Sequence, residues 1–147
     1  MAEKLKVMFL CSGNSCRSQM AEGWARELKG DVVEPYSAGI ETHGLNQNAV
    51  AVMAEAGVDI REHGSQNIDE FKNMKLDVVV TVCANAYETC PIFPGSCKVV
   101  HVGFDDPPTM AKICAEQGGS KEAQLDCYRK VRDQIRAFID TLPEPLI

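Results

Sequence analysis

The sequence predicts an α/β fold, a four-stranded, mainly parallel sheet with helices on both faces. Three observations carry this expectation. Apolar runs and helical periodicities follow one another in the order strand, helix, strand, helix, strand, strand, helix. The run Leu76-Asp77-Val78-Val79-Val80-Thr81-Val82 is rich in β-branched residues without polar alternation, the mark of a strand buried on both faces. The 147 residues, 45% hydrophobic and 24% charged, suit one compact domain over residues 1–147 and exclude wholesale disorder.

Each element has its own signal. Leu5 to Cys11 is an apolar strand ended by the turn formers Ser12, Gly13 and Asn14. Met20, Ala21, Trp24, Ala25 and Leu28 then recur at spacings of three and four, the apolar stripe of a helix that closes near Lys29-Gly30. Trp24 is read as core. Asp31 to Ala38 is the second strand, and Asn46 to Ala56 the second helix, with Val50, Val52, Met53 and Ala56 apolar and Gly57 closing it. Leu76 to Val82 is the third strand and Lys98 to Phe104 the fourth. From Ser120 to Leu142, Leu125, Tyr128, Val131, Ile135, Phe138 and Ile139 keep helical spacing until Pro143 and Pro145 end it.

Composition narrows the function classes. Fifteen basic against 21 acidic side chains give a net charge of −6, and no basic stripe stands out, so nucleic acid is not an expected partner. The apolar stretch beginning at Val7 is broken too early for a signal-peptide core. No stretch approaches the roughly 20 apolar residues that span a bilayer, so no membrane partner is expected. The chain reads as cytoplasmic, and nothing demands more than a monomer. Seven cysteines, an odd number, then point to redox or metal chemistry rather than to static bridges.

In a parallel sheet ligands sit at the carboxyl ends of the strands, and three of those ends carry reactive side chains: Cys11, Cys83 and Asp105-Asp106. Cys11-Ser12-Gly13-Asn14-Ser15-Cys16-Arg17-Ser18 joins a buried strand directly to a helix and contains Cys-x5-Arg. Such a loop turns backbone N–H groups toward a helix N-terminus, where partial positive charge gathers, and so cradles a tetrahedral oxyanion. Arg17 adds a planar fork of donors able to hold two anion oxygens. The same field favours a Cys11 thiolate, to which Ser18 can donate. Ser12 to Cys16 need supply only backbone, so their side chains are expected to matter less than Cys11 or Arg17, and Cys16 is assigned no chemistry. The plainer alternative, a buried small Cys11 and a solvated Arg17, is outweighed by the placement of the motif between strand and helix.

Cys83-x6-Cys90 sets two further thiols seven residues apart. In a helix they would lie about 10 Å apart along the axis, whereas a disulfide needs Cα atoms within about 7 Å. A bridge between them requires the segment to unwind, a candidate redox switch. Pro91 and Pro94 are expected to limit helix beyond it. Cys97 continues the spacing, but without a Cys-x2-Cys or His-x3-His pair no metal is expected. Cys97, Cys114 and Cys127 are read as incidental thiols, and His43, His63 and His101 as structural or surface groups. Asp106 precedes Pro107 and is biased toward an extended strand-end conformation, where a carboxylic acid can protonate a leaving oxygen.

The segments Cys11 to Gly23, Tyr36-Ser37-Ala38-Gly39-Ile40-Glu41-Thr42-His43-Gly44 and Gly103-Phe104-Asp105-Asp106-Pro107 resemble the thioredoxin-coupled arsenate reductases, which share their fold with low-molecular-weight protein tyrosine phosphatases. The resemblance covers nearly the whole chain and departs between Pro108 and Cys127, where residues look inserted. It implies arsenate as substrate in the loop Ser12 to Ser18. It further implies attack by Cys11, protonation of the leaving group by Asp106 rather than Asp105, a thiol relay through Cys83 and Cys90, and reduction by thioredoxin, without an organic cofactor. Some relatives bind potassium through an asparagine, a glutamate, a serine and an aspartate. Asn14, Glu22 and Ser37 match these, but Gln66 stands at the aspartate position, so bound potassium is not expected. A phosphotyrosine phosphatase using Cys11, Arg17 and Asp106 is the alternative enzyme, and a non-catalytic redox-sensing or anion-binding module the alternative of another class.

Overall fold

Every residue from Val7 to Cys11 is buried, and because neighbouring side chains of a strand point to opposite faces, both faces of the sheet are covered at this strand. This is the centre of the fold in a computed structural model that describes residues 4–83, 86, 88, 90 and 97–147. The described elements are β1 (Leu5–Cys11), α1 (Arg17–Lys29), β2 (Val33–Gly39), α2 (Gln47–Glu55), β3 (Val78–Thr81), β4 (Lys98–His101), α3 (Pro107–Glu116) and α4 (Lys121–Asp140), with short 3-10 turns at Ile68–Phe71 and Glu144–Leu146.

The four strands lie in the order β2-β1-β3-β4, and every pairing is parallel. The expected fold class is therefore borne out, with the sheet wholly rather than mainly parallel. From β1 the chain crosses through α1 to β2 on one side, then returns past β1 to place β3 on the other. That reversal opens a crevice at the carboxyl ends of β1 and β3, the place where such sheets bind ligands. Leu10 pairs with Thr81, so Cys11 and Cys83 emerge from neighbouring strands at one end of the sheet.

The helices begin and end where their residues dictate. Asn46 caps α2 by accepting from the Ala49 amide at 3.0 Å, and Gly57 follows that helix with φ +89°, a conformation that favours glycine. Ser120 caps α4 in the same way, accepting from Ala123 at 3.1 Å. Gly30, by contrast, ends α1 in an ordinary right-handed conformation. The turn Val32 N–H to Lys29 C=O delays the second strand from the expected Asp31 to Val33. Trp24 is 2% exposed beneath Arg136, whose guanidinium carbon lies 4.9 Å from the ring centroid. It is core, as expected.

Helix α3 is not among the elements expected from the sequence. It lies within the stretch that departs from the resembled family, yet its start was written in the chain. Asp106 is extended (φ −88°, ψ 108°) and Pro107 occupies the first helical turn, a position where its missing N–H costs nothing. Among the described residues no helix is long and apolar enough to cross a membrane. Pro91 and Pro94, expected to limit helix after Cys90, lie outside the described residues.

Candidate active site

The anion loop begins where β1 ends. Cys11 is 4% exposed, and its sulfur receives the Asn14 amide at 3.2 Å and lies 2.9 Å from Ser18 Oγ. Ser18 Oγ also accepts from Asn14 Nδ2 at 2.8 Å, which leaves the serine's own hydrogen for the sulfur. Asn14 turns the loop with φ +47°, a left-handed conformation that asparagine tolerates better than most residues. Its side chain is fixed on every side: Oδ1 accepts from the Gln66 amide at 2.7 Å and from Gln19 Nε2 at 3.1 Å.

The N-terminus of α1 has no side-chain cap and no acidic residue in its first turn. Its partial positive charge is consequently not met by a carboxylate of its own helix, an arrangement that suits a bound anion. Arg17 enters the same space, with Nη1 donating to the Phe104 carbonyl at 2.9 Å and Nη2 3.5 Å from Asp106 Oδ1. Asp106 Oδ2 accepts from Thr109 Oγ1 at 2.7 Å, so Pro107 and the first turn of α3 fix both the backbone and the carboxylate. Together these groups line a cleft of about 360 Å³ bounded by Cys11, Ser12, Gly13, Arg17, His43 and Asp106, with Ser15, Cys16, Asn46 and Pro108 completing its wall. A larger hollow of about 510 Å³, lined in part by Glu22, Arg26, Tyr36, Gln66 and Phe71, contains no thiol and neither Arg17 nor Asp106.

The second thiol reaches the loop. Cys83 is 8% exposed, its sulfur 3.3 Å from Ser12 Oγ and 3.4 Å from the donating amide of Ala86. Cys90 is half-buried, and burial, followed by the nearby Cys97 thiol, pushes its pKa up. The described part of the intervening segment includes Ala86 and Glu88 in helical conformation. Cys16 is buried at the loop, and burial followed by the charge of Asp106 holds its thiol far above the usual range.

Three features of this site differ from the sequence expectation. Ser12 and Asn14 contribute side chains, not backbone alone. Gln19 and His63 buttress the loop from behind: Gln19 Nε2 donates to the Asn14 carbonyl at 3.0 Å, so its oxygen must accept from His63 Nδ1 at 3.0 Å. That tautomer leaves His63 Nε2 to accept from Arg26 Nη1 at 3.2 Å, and burial pushes the His63 pKa down against the pull of Glu22. His43 lines the cleft itself. The buttress had one sequence signal, two polar residues, Gln19 and Glu22, within an otherwise apolar helix face; both are buried.

The residues that would hold potassium do not fit it. Asn14 Oδ1 is already occupied, Ser37 Oγ donates to Glu22 Oε1 at 2.5 Å, and Glu22 Oε2 pairs with Arg26 at 2.7 Å. The guanidinium supplies the charge a cation would bring. Among the described residues no cluster of histidine, cysteine and acidic side chains is placed to hold a metal ion.

The chain is 48% identical over 141 residues to an arsenate reductase of Halalkalibacterium halodurans, covering 96% of each protein. A solved structure described as an arsenate reductase in the phosphate binding state is 30% identical and superposes with a TM-score of 0.71, over 97% of this chain and 99% of that one. The low molecular weight protein tyrosine phosphatase of T. tengcongensis, 24% identical with a TM-score of 0.70 over 97% and 99% of the two chains, shares the fold. Residues 6–145 match the family described as low molecular weight phosphotyrosine protein phosphatase, and the chain belongs to that family.

Proposed function

We propose that the chain is an arsenate reductase in which Cys11, Cys83 and Cys90 form a thiol-disulfide relay with thioredoxin as reductant, in the cytoplasm, as a monomer of one domain. The observation that carries this reading is the Cys83 sulfur 3.3 Å from Ser12 Oγ, at the loop that starts with Cys11. Phosphate-ester hydrolysis needs a nucleophile, a donor fork and an acid, and ends with water. It leaves Cys83, a buried thiol brought to the loop from the end of another strand, without a task. Reduction of As(V) to As(III) needs two electrons, which two thiols supply on becoming a disulfide.

The steps follow from that balance. Arsenate sits over the loop, with its oxygens on backbone N–H groups and Arg17. The Cys11 thiolate attacks arsenic while Asp106 protonates the leaving hydroxide, giving water and a Cys11–arsenic bond. For this Asp106 must exchange its contact with Arg17 for a proton, as arsenate takes up the guanidinium. The Cys83 thiolate then attacks Cys11 Sγ. The pair of electrons of the sulfur–arsenic bond passes to arsenic, arsenite leaves, and Cys11–Cys83 remains. Cys90 attacks Cys83, Cys11 departs as thiolate, and the disulfide moves to Cys83–Cys90, where thioredoxin reduces it.

Arsenate reduction coupled to thioredoxin is expected to proceed over many turnovers, with hydrolysis of an aryl phosphate slow by comparison. Efficient aryl phosphate hydrolysis without thioredoxin-dependent arsenite formation would establish the phosphatase instead. Anion binding with neither reaction would leave a non-catalytic module.

A further inference from the structure

We propose that His43, oriented by Glu41, determines which tetrahedral anions the cleft accepts: its Nδ1 takes a hydrogen bond from a hydroxyl of a protonated oxyanion, favouring phosphate and arsenate over sulfate. The identity of the natural substrate rests on the reductase reading; the recognition of a protonated anion does not.

The ring is placed by backbone. Glu41 N–H donates to the Ser12 carbonyl at 2.8 Å, and His43 N–H donates to the Gly13 carbonyl at 2.9 Å, so the segment after β2 is laced to the anion loop. Ser65 Oγ also donates to the Gly13 carbonyl, at 3.1 Å. A Cβ at Gly13 would collide with His43 Nδ1 and, at 2.7 Å, with Cγ; glycine is what allows the imidazole to lie against the loop. Of the ring atoms, Nδ1 lies nearest to where a Gly13 Cβ would stand.

Glu41 sets the tautomer. Its Oε2 lies 2.9 Å from His43 Nε2, and an ionised carboxylate can only accept, so Nε2 carries the hydrogen. In the neutral ring Nδ1 is then an acceptor beside the cleft. The other anion-facing groups are complementary to this one. Backbone N–H groups and Arg17 only donate, which suits oxygens without protons. Of the other acceptors in the wall, the hydroxyls of Ser12 and Ser15 can turn to donate instead, Asn46 Oδ1 already accepts from Ala49, and Asp106 already receives Arg17 and Thr109. Near neutral pH phosphate and arsenate keep at least one hydroxyl, which needs an acceptor. Sulfate keeps none and would set an oxygen lone pair against that of Nδ1. A site built around a substrate hydroxyl discriminates against the analogue that lacks it more sharply than apolar contact does.

The test is calorimetric titration of the fully reduced chain with inorganic phosphate and, separately, with sulfate, at slightly alkaline pH. The unmodified chain should prefer phosphate. His43→Ala should weaken phosphate binding roughly 2- to 10-fold, the value of one hydrogen bond, while sulfate binding stays the same or tightens. Glu41→Gln, whose amide can donate as well as accept, frees the tautomer and should erode the preference with the ring still present. Equal losses for both anions, or no preference in the unmodified chain, would overturn the proposal. Because no turnover is involved, a His43-dependent preference in a chain that reduces no arsenate would refute the reductase reading and leave this one standing.

Discussion

Cys90→Ala is expected to release about one arsenite per chain and then stop, with thioredoxin in excess and Cys11–Cys83 as the trapped bond. The reason is access. Cys11 and Cys83 are 4% and 8% exposed, so a disulfide between them lies out of reach of an external dithiol, whereas Cys90 is half-buried and flanks the reach of solvent. Exchange requires approach of the attacking thiolate to a sulfur, and only the move to Cys83–Cys90 brings the bond outward. The raised Cys90 pKa adds a condition, since less thiolate is present at neutral pH than for an ordinary thiol, and the transfer step in the unmodified chain should accelerate as pH rises. Mass analysis of alkylated peptides after one addition of arsenate reads the trapped bond. Sustained thioredoxin-dependent turnover by this variant would remove Cys90 from the relay.

Arg17→Ala is expected to lower kcat/KM for arsenate a hundredfold or more, about 3 kcal/mol, on the scale of a lost oxyanion donor. Arg17 does two things in the cleft that no other described residue duplicates. Its fork offers paired donors beside Cys11, and its Nη2 lies 3.5 Å from Asp106 Oδ1, linking the anion site to the acid. Loss of the guanidinium therefore weakens both anion binding and control of the proton. Arg17→Lys restores charge without the planar fork, so it should recover only part of the loss, and phosphate affinity should follow the same ranking. Arsenate kinetics unchanged by Arg17→Ala would place the anion elsewhere.

Much of this is legible in the sequence. The valines of β3 announced a doubly covered parallel strand, and all four residues of that strand are buried. The stripe from Met20 to Leu28 gave α1 and put Trp24 in the core. Cys11 to Ser18 read as a strand-to-helix anion loop because spacing and glycine speak for local geometry. What stayed hidden depends on partners distant in sequence. His63 is 44 residues from Gln19, and Ser12 is 71 residues from Cys83; no local pattern foretells either contact. His43 looked like a surface group because its meaning comes from Gly13, thirty residues earlier, making room for the ring. Helix α3 is hard to read for another reason: its apolar positions do not form one buried stripe, with Ala111 buried, Met110 half-buried and Ile113 exposed, so the Asp106-Pro107 start is the stronger sign.

The relay itself is best tested without any external reductant. Reduced chain is mixed with excess arsenate, quenched by alkylation, and assayed both for arsenite and for the position of the disulfide. The expected result is about one arsenite per chain, Cys11 alkylated as a free thiol, and Cys83 joined to Cys90. Arsenite without a Cys83–Cys90 bond, or a bond joining Cys11 to Cys16 in its place, would contradict the three-cysteine relay.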